Sequence, residues 1–360
     1  MITWKNKNLK LMIDITTHCN AKCPQCSRID SWSGGLNKVK ELPLVHWTLP
    51  EIQQCYTTEQ LKGVEFIHMS PTWGDPMMNP DIYDITDHIL ESLPRNSTLS
   101  ISTNGSMRDE DFWWKFGYLA IKHSSKFFRV VFCIDGIDQD MHSKYRRNTN
   151  LQKVLNNMLS FSDNGRSIVH SQSIIFKHNQ DYIKEIGELS KQYGSNQHTL
   201  IKSNRFIMDD EGNYKEWHFL NEHGKQESFE WADKEFENAF MGHYNNKKTV
   251  DKEILCKWAF DNVLNINFTG QVWPCCYIGC KEINEDEKYN KTELAQQYNL
   301  MALESNIKFT PLQEIIKNKW FDGYLQESIE NNPVNACVKH CSTQIRSFEK
   351  QQVRSVIKNA

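Results

Sequence analysis

The sequence contains no run of about 18 apolar residues, the length a bilayer-spanning helix needs, and its opening MITWKNKNLK lacks the apolar stretch of a secretory signal. Both absences predict a cytoplasmic protein with no membrane partner. Charge of one sign is scarce as well: 42 basic residues face 45 acidic ones, a net charge of −3, interspersed along the chain. Without a polycationic surface to neutralise phosphates, nucleic acid is not an expected partner. Neither an internal repeat nor a low-complexity tract is present. With 39% hydrophobic residues over a length of 360, the chain can bury one large core and a smaller one, so disorder is not its default state.

What the sequence does have is cysteine, eleven in all. In a reducing compartment thiols are not paired as structural disulfides, and clustering needs another reason. Cys19, Cys23 and Cys26 lie near the start; Cys256, Cys275, Cys276, Cys280, Cys337 and Cys341 lie in the last third. Cys55 and Cys133 stand alone, as small buried hydrophobes do.

From residue 9 to residue 206, short apolar runs alternate with helical patterns, the rhythm of βα units around a parallel sheet. Six strands are predicted: Leu9 to Ile15, Val64 to Met69, Leu99 to Thr103, Phe128 to Ile134, Ile168 to Phe176 and Thr199 to Phe206. Between them, Thr48 and Glu51 form a capping-box pattern with Pro50 in the first turn, and Pro80 opens a helix with apolar positions Ile82, Ile85 and Ile89. Further helices are expected over Glu110 to Lys122, Leu151 to Phe161 and Tyr182 to Tyr193. Residues 207–250 turn polar, acidic and aromatic without a clear period, which predicts a linker or insertion, either solvated surface or a substrate lid. Lys281 to Lys308 reads as a second charged insertion.

In parallel βα folds, ligands collect at the C-terminal edge of the sheet, where the first cysteine group follows the first strand. It reads Thr17-His18-Cys19-Asn20-Ala21-Lys22-Cys23-Pro24-Gln25-Cys26, a C-x3-C-x2-C spacing. Three thiolates hold three irons of a [4Fe–4S] cube and leave the fourth without a protein ligand, open to chemistry. Zinc is the rival reading, but structural zinc sites are closed by four ligands, and His18 is poorly placed to complete one.

This segment resembles the cluster loop of the radical S-adenosylmethionine (SAM) superfamily, whose open iron chelates the amino and carboxylate groups of SAM. Four more segments match in order. Trp73-Gly74-Asp75-Pro76, continued by MMNPDI, is similar to the Gly-Glu-Pro loop that holds the SAM amino group. Ser102-Thr103-Asn104-Gly105 ends the third strand as it commonly does in this family. Asp135-Gly136, followed by His142 and the pair Arg146 and Arg147, resembles the segment where a basic residue meets the SAM carboxylate. Ile175 to Asn179 resembles the fifth strand near the adenine. The resemblance implies SAM contacts from Gly74, Asp75, Pro76, Ser102, Asn104, Cys133, Asp135, Arg146 and Arg147. It also implies a partial (β/α)6 TIM-like barrel over residues 1–206. Three positions depart from the pattern: Asp75 replaces a Glu one methylene longer, Gln25 stands where an aromatic is common, and Cys133 replaces a Ser.

The later spacing Cys256-x13-Gly270-x4-Cys275 resembles the opening of the SPASM and twitch extensions of these enzymes, with Gly270 to Cys276 similar to their β-hairpin. Thr310 to Ile315 and a helix toward Cys337 continue the resemblance. It implies a smaller C-terminal α+β iron–sulfur domain over residues 251–360. The C-x2-C-x5-C-x3-C run of a full SPASM domain is absent, so the expectation is one auxiliary [4Fe–4S] cluster on Cys256, Cys275, Cys337 and Cys341. Cys276 and Cys280 are then spare, and a four-cysteine zinc site is the plainer alternative. Cys276 also stands where sulfatase-maturing relatives carry an acidic residue, which argues against that activity.

The resemblance implies reductive cleavage of SAM to a 5′-deoxyadenosyl radical that abstracts a substrate hydrogen, with a flavodoxin or ferredoxin as reductant. A peptide or protein side chain oxidised or crosslinked is the leading substrate class, and a small alcohol of the aminocyclitol kind is the alternative. The first strand starts near Leu9, which leaves no separate N-terminal peptide-recognition domain and weakens the peptide reading. A noncatalytic scaffold that uses its clusters only for stability is the alternative of another class. His68 and His178 lie near strand ends, and Asp14 and Asp135 are candidate pocket residues, but no catalytic base is assigned, since geometry must come before pKa.

Overall fold

The computed structural model describes residues 3–30, 39, 42–69, 72–203, 205–206, 209, 213–234, 239–241, 254–279 and 287–341. Its strands are β1 (Leu9–Ile13), β2 (Val64–Met69), β3 (Thr98–Thr103), β4 (Phe127–Cys133), β5 (Ile168–Ile175), β6 (Gln197–Lys202), β7 (Trp217–Leu220), β8 (Gln226–Phe229), β9 (Ala239–Met241), β10 (Val263–Ile266) and β11 (Val272–Trp273). Nine of them form one sheet in the order β11-β10-β1-β2-β3-β4-β5-β6-β9, and β7 and β8 form a separate hairpin. All neighbours in the large sheet are parallel except β10 and β11. The sheet is α/β, mostly parallel and open, with β11 and β9 at its edges, as a partial barrel requires.

The six strands expected from the sequence all form, the largest change being in the last, which stops at Lys202 rather than Phe206. The helix signals hold for physical reasons. Glu51 Oε2 accepts from Thr48 N at 2.9 Å while Thr48 Oγ1 accepts from Glu51 N at 3.5 Å, so two orphan donors are satisfied at once. Asp109 caps the helix Glu110–Lys122 and Asn150 caps Leu151–Ser162. The helix Ile82–Ser92 buries Ile82, Ile85 and Ile89 on one stripe.

Three strands beyond the six join the large sheet, one of them, β11, within the stretch Gly270 to Cys276 that resembles a β-hairpin. β9 arises within 207–250, and β10 and β11 arise in the C-terminal third, where β10 pairs in parallel with β1. The β10–β11 hairpin turns at Gly270, whose φ of +90° is open to glycine and strained for other residues. Asn267 closes the turn, its carbonyl accepting from Gly270 N at 2.9 Å.

Strand alternation sorts the side chains onto two faces. Leu9, Leu11 and Ile13 of β1, Leu99 and Ile101 of β3, and Phe128, Val130 and Phe132 of β4 enter the helix-covered core. The intervening residues Lys10, Met12, Ser100, Ser102, Arg129 and Cys133 occupy the other face, which is largely polar. Aromatic rings lock the helix side: Phe116 meets Phe128 edge to face at 5.2 Å, and Phe128 meets Phe161 at 5.5 Å. Among the described residues no helix is long and apolar enough to cross a membrane. Because Phe116 is fully buried in this cluster, Phe116→Ala should cost about 3–5 kcal/mol, read as a lower urea midpoint with an unchanged slope.

Candidate functional site

The first cysteine loop leaves β1 at the C-terminal edge of the sheet and is pinned from two sides. Thr17 N donates to Val45 O at 3.0 Å, and Arg28 Nε donates to Thr17 O at 2.8 Å. Within the loop, Cys26 N donates to Cys23 O at 2.9 Å, a turn that brings these two cysteines to the same side. All three thiols reach one cluster with Ala21, Tyr145 and Phe176.

The Gly74 loop after β2 lies directly against this segment. Asp75 N donates to His18 O at 2.8 Å, and a Cβ on Gly74 would stand 2.4 Å from Thr16 O and 2.7 Å from His18 O. Only glycine permits that approach. Asp75, expected to accept from the SAM ammonium, is buried and saturated by the protein itself. Its carboxylate accepts from Met77 N (3.0 Å), Thr103 Oγ1 (2.8 Å), Asn104 N (2.7 Å) and Asn104 Nδ2 (2.6 Å). One methylene shorter than Glu, it anchors the loop to the end of β3. Burial holds its carboxyl above the usual carboxylate range, against those hydrogen bonds.

Asn104 is the hub between the loops. Its Nδ2 also donates to Asn20 Oδ1 at 2.8 Å and faces Cys19 Sγ at 3.9 Å, while its Oδ1 accepts from Ser106 Oγ at 2.6 Å. Pro76 starts the short turn that follows Asp75 and is buried. Ser102 Oγ shares a hydrogen bond of 3.2 Å with His68 Nε2 on the polar face of the sheet. Cys133 is buried, and its thiol accepts from Gln172 Nε2 at 3.2 Å. Gln25, in place of an aromatic, accepts from Ser203 Oγ at 2.6 Å and leaves its buried Nε2 without a partner.

Asp135 and Arg146 form a buried ion pair, and Ile174 N donates to Asp135 Oδ1 at 2.5 Å. The pair sets Arg146 beside the cysteine loop, its Nη1 3.9 Å from Cys23 Sγ. His142 supports this arrangement as a neutral ring: its Nδ1 accepts from Asp135 N at 3.2 Å, and burial lowers its pKa to about 4. Arg147 turns away, pairs with Glu227 of the β7–β8 hairpin and lies 4.8 Å over the Phe219 ring. The hairpin thereby covers the loop, burying Phe219 and Phe229 against Tyr145 and Phe176. Within the segment expected as linker or insertion, this part forms a regular hairpin that buries Phe219 and Phe229 and leaves its turn exposed.

The thiols suit a cationic cluster. Burial first, then Asp75 and the neighbouring thiols, hold Cys19 well above the ordinary range, and burial pushes Cys23 up to about 12 against the pull of Arg146. A metal would displace their protons on binding. Among the described residues no three Cys, His, Asp or Glu side chains are arranged to hold a single metal ion. Cubane thiolates bind different irons at different corners and stand further apart than the ligands of one ion, so this observation leaves the thiol set compatible with a cluster.

The second group gathers at the opposite edge. Cys256, Cys275, Cys337 and Cys341 line one small apolar pocket with Trp4, Pro274 and Ile278. Leu255 N donates to Cys341 O at 2.8 Å, which ties the C-terminal helix Asn335–Cys341 to the start of β10. Cys256 is raised by its hydrogen bond to Cys341 and then by burial, and Cys275 and Cys337 are raised mainly by burial. Cys276 does not line this pocket, and Cys280 lies outside the described residues.

The sequence motifs include Asn20 and Thr103 without giving them a role, and the hairpin aromatics were passed over. The turn Asn221 to Lys225, with Gly224 at a φ of +72°, was the available signal for the hairpin. Gly74→Ala should cost about 1–3 kcal/mol through overpacking against backbone that cannot yield, read by urea unfolding. The control Gly187→Ala meets only the His198 ring at 3.6 Å and should leave stability unchanged or higher by about 0.5–1 kcal/mol.

Residues 13–190 match the family model of the Radical SAM superfamily. Among solved structures, SuiB of Streptococcus suis bound to its precursor peptide SuiA is 14% identical, with a TM-score of 0.53 over 94% of this chain and 72% of that one. SuiB bound to S-adenosylmethionine is 13% identical, with a TM-score of 0.53 over 94% of this chain and 70% of that one. The structure of anSMEcpe with bound AdoMet and the Cp18Cys peptide is 10% identical, with a TM-score of 0.50 over 94% and 90% of the two chains. At these identities the likeness speaks for the fold alone. No curated protein sequence matches the chain. With the family model on residues 13–190 and the three cysteines within it, those residues are a radical SAM domain.

Proposed function

We propose that this enzyme oxidises or crosslinks a side chain of a peptide or protein, with SAM and a [4Fe–4S] cluster at Cys19, Cys23 and Cys26 and an auxiliary [4Fe–4S] cluster at Cys256, Cys275, Cys337 and Cys341. The observation that carries this reading is the placement of two buried thiol sets at opposite edges of one sheet. At about 3.3 Å per residue, the five residues of β1 span on the order of 15–20 Å between the strand ends near which the two sets lie, the first beyond the C-terminal end and the second packed into the helix-covered core toward the other. When bound, these groups would supply a 5′-deoxyadenosyl radical to take a substrate hydrogen at one end and an acceptor for the remaining electron at the other.

The chain's own residues then have separable tasks. Arg146, held by Asp135, is the cation for the SAM carboxylate, and it stands beside the loop that would carry the open iron. The Gly74-Asp75-Pro76 backbone offers the close surface for the SAM amino group, while the Asp75 carboxylate fixes the end of β3. Asn104 orients the cysteine loop through Asn20. Ser102 and Cys133 line the polar face below. Arg147 latches the β7–β8 hairpin, whose Phe219 and Phe229 keep water from the thiols. The structures of SuiB with SuiA and of anSMEcpe with its peptide favour a peptide substrate. A flavodoxin or ferredoxin fits as the electron donor.

Two outcomes test the assignment. After anaerobic reconstitution and dithionite reduction with SAM, Cys23→Ala should abolish 5′-deoxyadenosine formation yet retain the iron of the second set. Cys256→Ala should lose that iron and keep 5′-deoxyadenosine formation. Wild-type protein that loads iron but forms no nucleoside with any reductant or candidate peptide would contradict the reading.

A further inference from the structure

The polar face of the sheet holds a charge that no carboxylate among the described residues neutralises. Arg129 of β4 sits between Ser100 of β3 and Ile168 of β5, on the face away from the helices, and it remains partly exposed. Its Nε donates to Ser100 Oγ at 3.0 Å, and the guanidinium lies 5.4 Å over the ring of Phe66. The two terminal amino groups have no acceptor among the described residues, and no carboxylate there pairs with it. A half-buried guanidinium without a counter-ion is costly, and burial alone draws its pKa down.

The surroundings define what would complete it. Ser100 holds Nε and Phe66 lies against the plane of the guanidinium, and neither takes up the two terminal amino groups, the pair of donors that meets a planar oxyanion with two parallel hydrogen bonds. His68 and His170 are the other titratable groups that feel this charge. Burial, and next the charge of Arg129, lowers each to about 4, so both are neutral at pH 7. The site therefore carries a single positive charge, which matches a monoanion rather than a phosphate dianion. His68 adds a buried Nδ1 that has no partner.

We propose that Arg129 is the anchor for a carboxylate of the substrate, bound on the polar face of the sheet at β4. The inference rests on the proposed function for where substrate lies. It names a recognition element: substrates should present a carboxylate, from an acidic side chain or a chain terminus, at a fixed distance from the reacting carbon.

The test is thermal unfolding of the anaerobically reconstituted protein in sodium acetate against sodium chloride at equal ionic strength, about 0.2 M, for wild type, Arg129→Gln and Arg129→Lys. Acetate should raise the wild-type Tm by about 1–2 °C over chloride. The increment should vanish in Arg129→Gln and shrink in Arg129→Lys, which keeps the charge but not the fork. No increment in wild type, or a full increment in either variant, would overturn the proposal, and Arg129→Lys decides the case if Arg129→Gln does not fold. Formation of 5′-deoxyadenosine by wild type, measured separately, tests the functional reading, so the two can fail independently.

Discussion

Strand β1 is the member on which the rest depends. It pairs in parallel with β2 on one side and with β10 on the other, so the segment carrying Cys19, Cys23 and Cys26 and the segment carrying Cys256 and Cys275 hang from opposite ends of the same five residues. Neither thiol set could move along the sheet without breaking that ladder, because a one-residue slip would turn Leu9, Leu11 and Ile13 out of the core and Lys10 and Met12 into it. The separation between the sites is a property of strand register.

Around the first loop the structure trades side-chain reach for backbone proximity. Gly74 lets two loops touch, Asp75 and Asn104 tie that contact to β3, and Asp135 holds Arg146 at the thiols from β4. A buried ion pair such as Asp135–Arg146 offers little net stability once desolvation is counted, and its use here is to fix where one cation points. The hairpin closes the arrangement from above. Its grip on the loop combines apolar burial of Phe219 and Phe229 with the Arg147–Glu227 pair.

Much of this was legible in the sequence because it depends on local signals. The strands of the first 206 residues are dense in β-branched and aromatic residues, Thr48 and Glu51 specify a helix start, and the cysteine spacing names its own chemistry. What could not be read depends on distant partners. Val263 to Ile266 gives no sign that it will join β1 across some 250 residues of chain, and the same four residues would suit a separate small sheet. Arg146 and Arg147 are adjacent and alike, yet only the packed structure shows that one faces the thiols and the other faces Glu227. Asp75 reads as a SAM contact, and its four hydrogen bonds to Met77, Thr103 and Asn104 could not be read from its loop alone. The hairpin within 207–250 was hidden because its strands are four residues each, too short for a period to emerge from polar neighbours.

The central claim is that two iron–sulfur sites share this sheet and that only the one at the first loop meets SAM. Electron paramagnetic resonance of the dithionite-reduced, reconstituted protein with and without SAM addresses it directly. The account predicts two reduced-cluster signals, one of which changes on adding SAM while the other does not, with relaxation coupling suited to a separation of about one strand length. A single cluster signal, zinc in place of iron at the second set, or two signals that both ignore SAM would contradict it.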